Sequence, residues 1–329
     1  MIAGLSFSLV IAPLMAFMVT FTLIWWLIKG NLLKVLDHPN SRSLHTISVP
    51  RTGGLGMVLG VLTSWAFLSA SLPFSVSFGF SLLALISFAD DIFGLPVLGR
   101  LLMHGVVAVW FSVALLFEAH GWMTITMITI AVIWMINLYN FMDGSDGLAG
   151  GMTLIGFSCY GLTAWLAGNE SFAMINFCVA AAAAAFLLFN FHPARIFMGD
   201  AGAIPLGFLA AALGVTGWVN GLWPLWLPVL VFSPFIADAS VTLVKRTLRG
   251  EKIWQAHREH YYQRVVRSGF GHRNMALLGY FLMFAAGISA VWAIRQDAAV
   301  QLGVGAAWGV FYLTIMLVSE CRLERRSGD

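Results

Sequence analysis

Apolar runs of 16 or more residues follow one another along nearly the whole chain, separated by short polar stretches. A run of about 20 residues, wound as a helix, matches the hydrocarbon thickness of a bilayer. The composition agrees, since 60% of the 329 residues are hydrophobic and 10% are charged, where a soluble chain carries about 25% charge. A soluble fold cannot cover that much apolar surface. A transmembrane barrel would alternate over segments of about 10 residues, whereas 180–188 is continuously apolar. The chain therefore reads as an all-α polytopic membrane protein, one integral-membrane domain over 1–329. About eleven transmembrane helices are expected, at 5–28, 53–71, 74–89, 99–117, 122–139, 148–167, 172–190, 203–219, 222–244, 274–294 and 299–319.

The first run lacks a basic leader and a small-residue cleavage pattern, and Lys29 follows it, so it reads as an uncleaved first span. Cys159, Cys178 and Cys321 have neither metal spacing nor a disulfide framework. Lysine and arginine are retained in cytoplasmic loops, and seventeen of the eighteen fall on one side of this span pattern, Arg295 being the exception. The amino terminus is then outside and the carboxyl terminus cytoplasmic. The cytoplasmic loops are approximately 29–52, 90–98, 140–147, 191–202 and 245–273, and that side holds eleven of the fifteen acidic residues. The net charge of +3 is thus a topology signal, and no nucleic acid is expected as a partner.

The working chemistry should lie in those loops. Asp90 and Asp91 end the third span, where helix carbonyls already point negative charge at them. They mark either a solvated turn or a divalent-ion site. Asn140-Phe-Met-Asp143-Gly-Ser-Asp146-Gly joins spans five and six, and its glycines let backbone amides approach an anion or nucleotide. Asp146 could equally cap span six. Asp200 precedes span eight at a helix start suited to diphosphate and metal; it could be only a cap, but Asn190, His192 and Arg195 upstream add donors that a bare cap would not need.

The stretch from Lys245 to Arg273 contains His257-Arg-Glu-His260 and Arg264, with the histidines spaced to share a helical face. It reads as a membrane-surface helix or a phosphate clamp, and the order His-Glu-x-x-His that zinc would need is absent. Asp238, inside span nine, is placed to pair with Lys245 or to reach a site. Gly54, Gly56 and Gly60 read as close helix packing.

Taken in order, Pro39-Asn-Ser-Arg42-Ser-Leu-His45 with Pro50-Arg51-Thr-Gly-Gly54, Asp90-Asp91, Asn140 to Gly147, Phe197-Met-Gly-Asp200 and His257-x-x-His260 resemble the motifs of the polyprenyl-phosphate N-acetylhexosamine-1-phosphate transferases. The resemblance covers most of the chain. It implies transfer of a sugar 1-phosphate, from a UDP-sugar carrying an N-acetylated amino sugar, to undecaprenyl phosphate with release of UMP. Mg²⁺ is the implied cofactor, with Mn²⁺ as its substitute. The implied location is the cytoplasmic face of a bacterial inner membrane, with membrane lipid around the chain and a homodimer left open.

By the same resemblance Asp200 is the main metal ligand, and Asp90 and Asp91 bind metal or deprotonate the lipid phosphate. Asp143, Asp146 and Phe197 match nucleotide-pocket positions, and Asn140 and Asn190 belong with them as substrate-binding residues. Arg42, His45 and Arg51 would hold pyrophosphate or lipid phosphate, while His257, His260 and Arg264 would supply cations. Joining two anionic phosphates calls for such cations and a metal on physical grounds alone. Ala201 and Ala203 stand where the family often has serines, and His104 where a Gln is frequent.

The resemblance leans toward the branch that initiates O-antigen and other surface polysaccharides. The alternative is the phospho-MurNAc-pentapeptide transferase branch, whose three-histidine run is missing here. A transporter would place ionisable groups near the bilayer midplane, where this chain has almost none. A CDP-alcohol phosphotransferase would carry an arginine that Gly147-Leu-Ala-Gly150 lacks.

Overall fold

The computed structural model describes residues 7–30, 36–37, 48–68, 72–252 and 257–327. It is almost wholly helical: α1 (Phe7–Gly30), α2 (Gly53–Phe67), α3 (Phe74–Phe93), α4 (Val97–Leu116), α5 (Trp122–Phe141), α6 (Leu148–Leu166), α7 (Glu170–Asn190) and α8 (Asp200–Val219). There follow α9 (Trp226–Val231), α10 (Ser233–Leu248), α11 (Tyr261–Val265), a π-helical turn (Val266–Phe270), α12 (His272–Ala293) and α13 (Ala298–Ser327). The strands β1 (Leu36–Asp37) and β2 (Val49–Pro50) form a two-residue antiparallel ladder before α2.

Among the described residues, eight helices are long and apolar enough to cross a membrane: α1, α3, α4, α5, α7, α8, α12 and α13. The other three expected spans correspond to less regular elements. Helix α2 has 15 residues, α6 is rich in buried glycines, and the span at 222–244 breaks at Phe232 into α9 and α10. Pro234, in the first turn of α10, is compatible with a helix start but not with a continuous helix through Phe232. Asp90 and Asp91 lie in the last turn of α3 and not in a loop; Gly94, at φ +65, ends that helix in the left-handed conformation.

The core centres on α7 and α8, whose apolar stretches are 72% and 83% buried, against 11% for α13. Helix α7 packs on α6, α1 and α2, and α8 packs on α3 and α5. The expected close packing at Gly54, Gly56 and Gly60 is present. A Cβ on Gly54 would fall 2.4 Å from Gly202 Cα, one on Gly56 2.7 Å from Ile24, and one on Gly60 2.1 Å from the Thr20 hydroxyl. The Gly54–Gly202 approach brings the start of α2 against the start of α8. Three backbone hydrogen bonds complete the join: Phe197 N–H to Pro50 O (2.7 Å), Gly53 N–H to Phe197 O and Gly54 N–H to Met198 O (both 2.9 Å). The motif-bearing segments are thereby gathered at one pole of the bundle.

Candidate active site

Three carboxylates and two guanidiniums meet where α3, α4 and α8 come together. Arg100 Nη1, on α4, donates to Asp90 Oδ2 at 2.7 Å and to Asp200 Oδ2 at 3.1 Å. One guanidinium nitrogen thus bridges the end of α3 and the start of α8. Asp90 Oδ1 accepts the Leu95 N–H at 2.6 Å, and Asp91 Oδ2 accepts the Ala201 N–H at 3.1 Å. Arg51 donates from Nη2 to the Asp91 carbonyl at 2.8 Å, with Nε 3.5 Å from Asp91 Oδ1. Asn140 hydrogen-bonds the Asp200 side chain.

The local backbone explains the arrangement. Helix α8 has no side-chain cap of its own, its N-cap being Gly199 at φ +71. The unpaired N–H groups of its first turn attract negative charge, and Asp91 answers from α3. Gly199 is required twice over, by its φ and because a Cβ there would lie 2.3 Å from Arg51 O.

A second cluster surrounds Asp146. Its Oδ2 lies 2.6 Å from His192 Nδ1 and accepts the Ala194 N–H at 3.1 Å, and its Oδ1 is 3.9 Å from His272 Nδ1. The two imidazoles lie parallel, with centroids 5.5 Å apart, and Ser145 Oγ meets His272 Nδ1 at 3.0 Å. Asp146 does not cap α6; Gly147 is the N-cap, at φ +76. Asn190 accepts the Gly147 N–H at 3.0 Å and donates to Ile196 O at 2.9 Å while buried. It braces two motif loops with the groups that would otherwise meet a substrate. Asp143 follows α5, with its N–H on Asn140 O at 3.2 Å.

A third cluster is built on Asp238. Its two oxygens accept the N–H groups of Tyr261 and Tyr262 at 2.9 Å each, and Oδ1 is 3.3 Å from His260 Nδ1. Asp238 therefore does not pair with Lys245, which binds Glu320 at 2.8 Å. Helix α11 begins at Tyr261, so His257 and His260 precede it and share no helical face; their rings nevertheless lie 4.8 Å apart. Burial, the adjacent His260 ring and the Arg246 cation push His257 down to about 4. At neutral pH it is an uncharged hydrogen-bonding group and not the cation expected from sequence. Arg264 holds Glu320 with both its terminal nitrogens, at 2.6 and 2.9 Å. Tyr262 donates to Phe141 O at 2.9 Å, and burial together with Asp238 and Asp143 keeps its phenol well above the usual range.

The structure thus joins Asp90, Asp91, Asp200, Arg51 and Asn140 directly. Asp146 and Asn190 meet in the second cluster and His257 and His260 in the third, while Phe197 stitches to Pro50 and Gly53. Arg42 and His45 lie outside the described residues. Sequence reasoning passed over Arg100, counted only as a topology charge, and His272, counted only as part of a polar stretch. His104, one turn along α4 from Arg100, is buried and bonds Asn137.

Among the described residues no three acids or histidines close into a ready metal cage. Asp90, Asp91 and Asp200 instead offer hard oxygens with a net negative balance, three carboxylates against two guanidiniums, four of the six oxygens also accepting N–H groups. That set fits Mg²⁺, which is held by one or two carboxylates and completes its shell with water and substrate phosphate.

The glycosyl transferase family 4 description matches residues 73–218. The chain is 31% identical to the decaprenyl-phosphate N-acetylglucosaminephosphotransferase of Mycobacterium tuberculosis, over 87% of this chain and 83% of that protein. It is 28% identical to the probable undecaprenyl-phosphate N-acetylglucosaminyl 1-phosphate transferase of Bacillus subtilis, over 87% and 85% of the two chains. With the undecaprenyl-phosphate alpha-N-acetylglucosaminyl 1-phosphate transferase of Escherichia coli K12 the identity is 24%, over 74% and 72%. A multi-pass helical fold, the ordered motifs and these relatives together place the chain in the polyprenyl-phosphate N-acetylhexosamine-1-phosphate transferase family.

Proposed function

We propose that this sugar-1-phosphate transferase takes its sugar from a UDP-activated N-acetylated amino sugar, depends on Mg²⁺ with Mn²⁺ as substitute, and releases UMP. The acceptor is undecaprenyl phosphate and the site faces the cytoplasm at the bacterial inner membrane, as the one-sided lysines and arginines suggest. The product is the first lipid-linked intermediate of an O-antigen or similar surface polysaccharide. The relatives' names make N-acetylglucosamine the first sugar to test.

In this reading an oxygen of the acceptor phosphate attacks the sugar-bearing phosphorus of the donor. The bond from that phosphorus to the bridging oxygen breaks, and UMP leaves with the oxygen. One phosphoanhydride is lost and one is formed. The acceptor is a phosphate monoester with second pKa about 6, largely dianionic at neutral pH, so direct attack needs no general base.

Arg100 and Arg51 are positioned to lower the repulsion between the two phosphates, and Asp90, Asp91 and Asp200 to hold the metal. When bound, Mg²⁺ supplies further neutralisation of the diphosphate. Asp143, Asp146 and Phe197 would orient the nucleotide, and neutral His257 would donate or accept a hydrogen bond without adding charge.

The observation that carries the proposal is the Arg100 bridge between Asp90 and Asp200. It sets one guanidinium between two carboxylates at helix ends, leaving net negative charge that suits a divalent cation, and not at a mid-helix position, where a transporter would need it. The test is UMP release by purified protein with undecaprenyl phosphate, Mg²⁺ and a panel of UDP-N-acetyl sugars. Release that disappears without lipid or with EDTA is expected. Release independent of lipid, or silence across the whole panel, overturns the proposed donor chemistry.

A further inference from the structure

Helix α13 is the least buried of the membrane-length helices and packs chiefly on α12. Glu320, near its charged end, is the exception. Its Oε1 accepts from Lys245 Nζ at 2.8 Å and Arg264 Nη1 at 2.6 Å, and its Oε2 accepts from Arg264 Nη2 at 2.9 Å. Tyr261 joins them through a hydrogen bond from Lys245, and both cations stack on its ring, at 5.0 and 5.7 Å.

These groups line a cavity of about 610 Å³ between α10, α11 and α13. Each of its cations already has a carboxylate partner: Lys245 and Arg264 share Glu320, while Arg249 and the adjacent Arg246 share Glu251 and Glu259. Glu320 is the member of this network that ties α13 to α10 and α11.

The brace acts on one short segment. Asp238 fixes the start of α11 through the Tyr261 and Tyr262 N–H groups and also meets His260. Glu320 fixes its other end through Arg264. Between these anchors, Tyr262 reaches the end of α5 at Phe141, next to the Asp143 loop. A bidentate arginine–carboxylate pair sets orientation as well as attraction, and both partners here are only about a quarter exposed.

We infer that Glu320 is a positioning residue for sugar-phosphate transfer: through Arg264 and Lys245 the last helix sets the geometry of the segment carrying His257, His260 and Tyr262. Glu320 lies outside every motif that identifies the family. The inference rests on the proposed reaction, in which that segment serves the active pole. A shift of about 1 Å in a positioning group costs up to about 100-fold in rate, so a brace distant from the phosphates has leverage on turnover.

The test uses the full-length purified chain with Glu320→Gln, Glu320→Asp and the swap Glu320→Arg with Arg264→Glu. For Glu320→Gln we expect kcat to fall about tenfold or more, with KM for both substrates nearly unchanged. Hydrogen exchange should rise at 258–264 and stay unchanged in α7 and α8. Glu320→Asp or the swap should recover most of the rate. An unchanged kcat, a loss carried by KM, or a rate loss without faster exchange at 258–264 overturns the inference. A wild-type chain that transfers no sugar phosphate overturns the functional reading before any variant is made, whereas an active wild type with an indifferent Glu320→Gln overturns the brace alone.

Discussion

Asp91, in the last turn of α3, accepts the backbone N–H of Ala201, in the first turn of α8, at 3.1 Å. A carboxylate at the negative end of one helix is thereby satisfied by the positive end of another. The bond fixes the start of α8, and with it Asp200, relative to Asp90 and Arg100. The geometry of the acid cluster is consequently a property of helix packing and not of any single loop.

Asp200→Asn should separate function from stability. The substitution removes one of three mutually repelling carboxylates and leaves two facing two guanidiniums, so the melting temperature should hold or rise. Turnover should fall by about 100-fold or more, the scale seen when one electrostatic contact to a reacting centre is lost. Wild-type turnover in this variant would remove Asp200 from the mechanism.

Much of this was legible in the sequence. Continuous apolar runs gave the helices because each must match a bilayer, and the motifs named the loops that meet. The partnerships were not legible, because they join distant positions. Arg100 serves Asp200 from 100 residues away, and His272 meets Ser145 across 127. No local spacing encodes such a contact. Spacing misled outright at His257 and His260, where an i, i+3 separation suggested a helix. Asp238 captures the Tyr261 and Tyr262 N–H groups and makes α11 begin only at Tyr261, after both histidines. The break at Phe232 was signalled by Pro234, but the strength of the apolar run concealed it.

Gly54→Ala should destabilise the protein where a Gly99→Ala control does not. A Cβ on Gly54 meets backbone, Gly202 Cα and N at 2.4 Å, which cannot rotate away, whereas Gly99 has open space around it. Overpacking of this kind costs about 1–3 kcal/mol. Thermal unfolding in detergent compares the two, and equal melting temperatures would mean that α2 and α8 can part at no cost.

Acid should destabilise the protein partly through His257. Its pKa is about 4 folded, against an ordinary 6.5, so between those values the unfolded chain binds a proton that the folded chain refuses. The stabilisation is complete above pH 6.5 and is lost as pH falls toward 4. Glu259 adds a loss of the same sign lower down: burial alone would raise its pKa, but the Arg249 hydrogen bond and the Arg246 charge hold it below 4.5. Melting temperatures measured from pH 7 to 4 should therefore fall less steeply in His257→Gln than in wild type. Parallel curves would show that His257 takes up its proton as readily in the folded protein as in the unfolded chain.

Asn190 distinguishes a brace from a substrate ligand. A substrate ligand replaced by alanine would leave the substrate-free protein as stable as before and raise only KM. Asn190→Ala instead strands two buried backbone groups, the Gly147 N–H and the Ile196 carbonyl, each at a cost of about 1–3 kcal/mol. The substrate-free melting temperature should drop accordingly. KM for the donor should rise with it, because Asp146 and Phe197 each neighbour one of the freed groups. Asn190→Asp keeps the acceptor for Gly147 but loses the donor to Ile196, and should fall between wild type and alanine. An unchanged melting temperature with a raised KM would return Asn190 to the substrate.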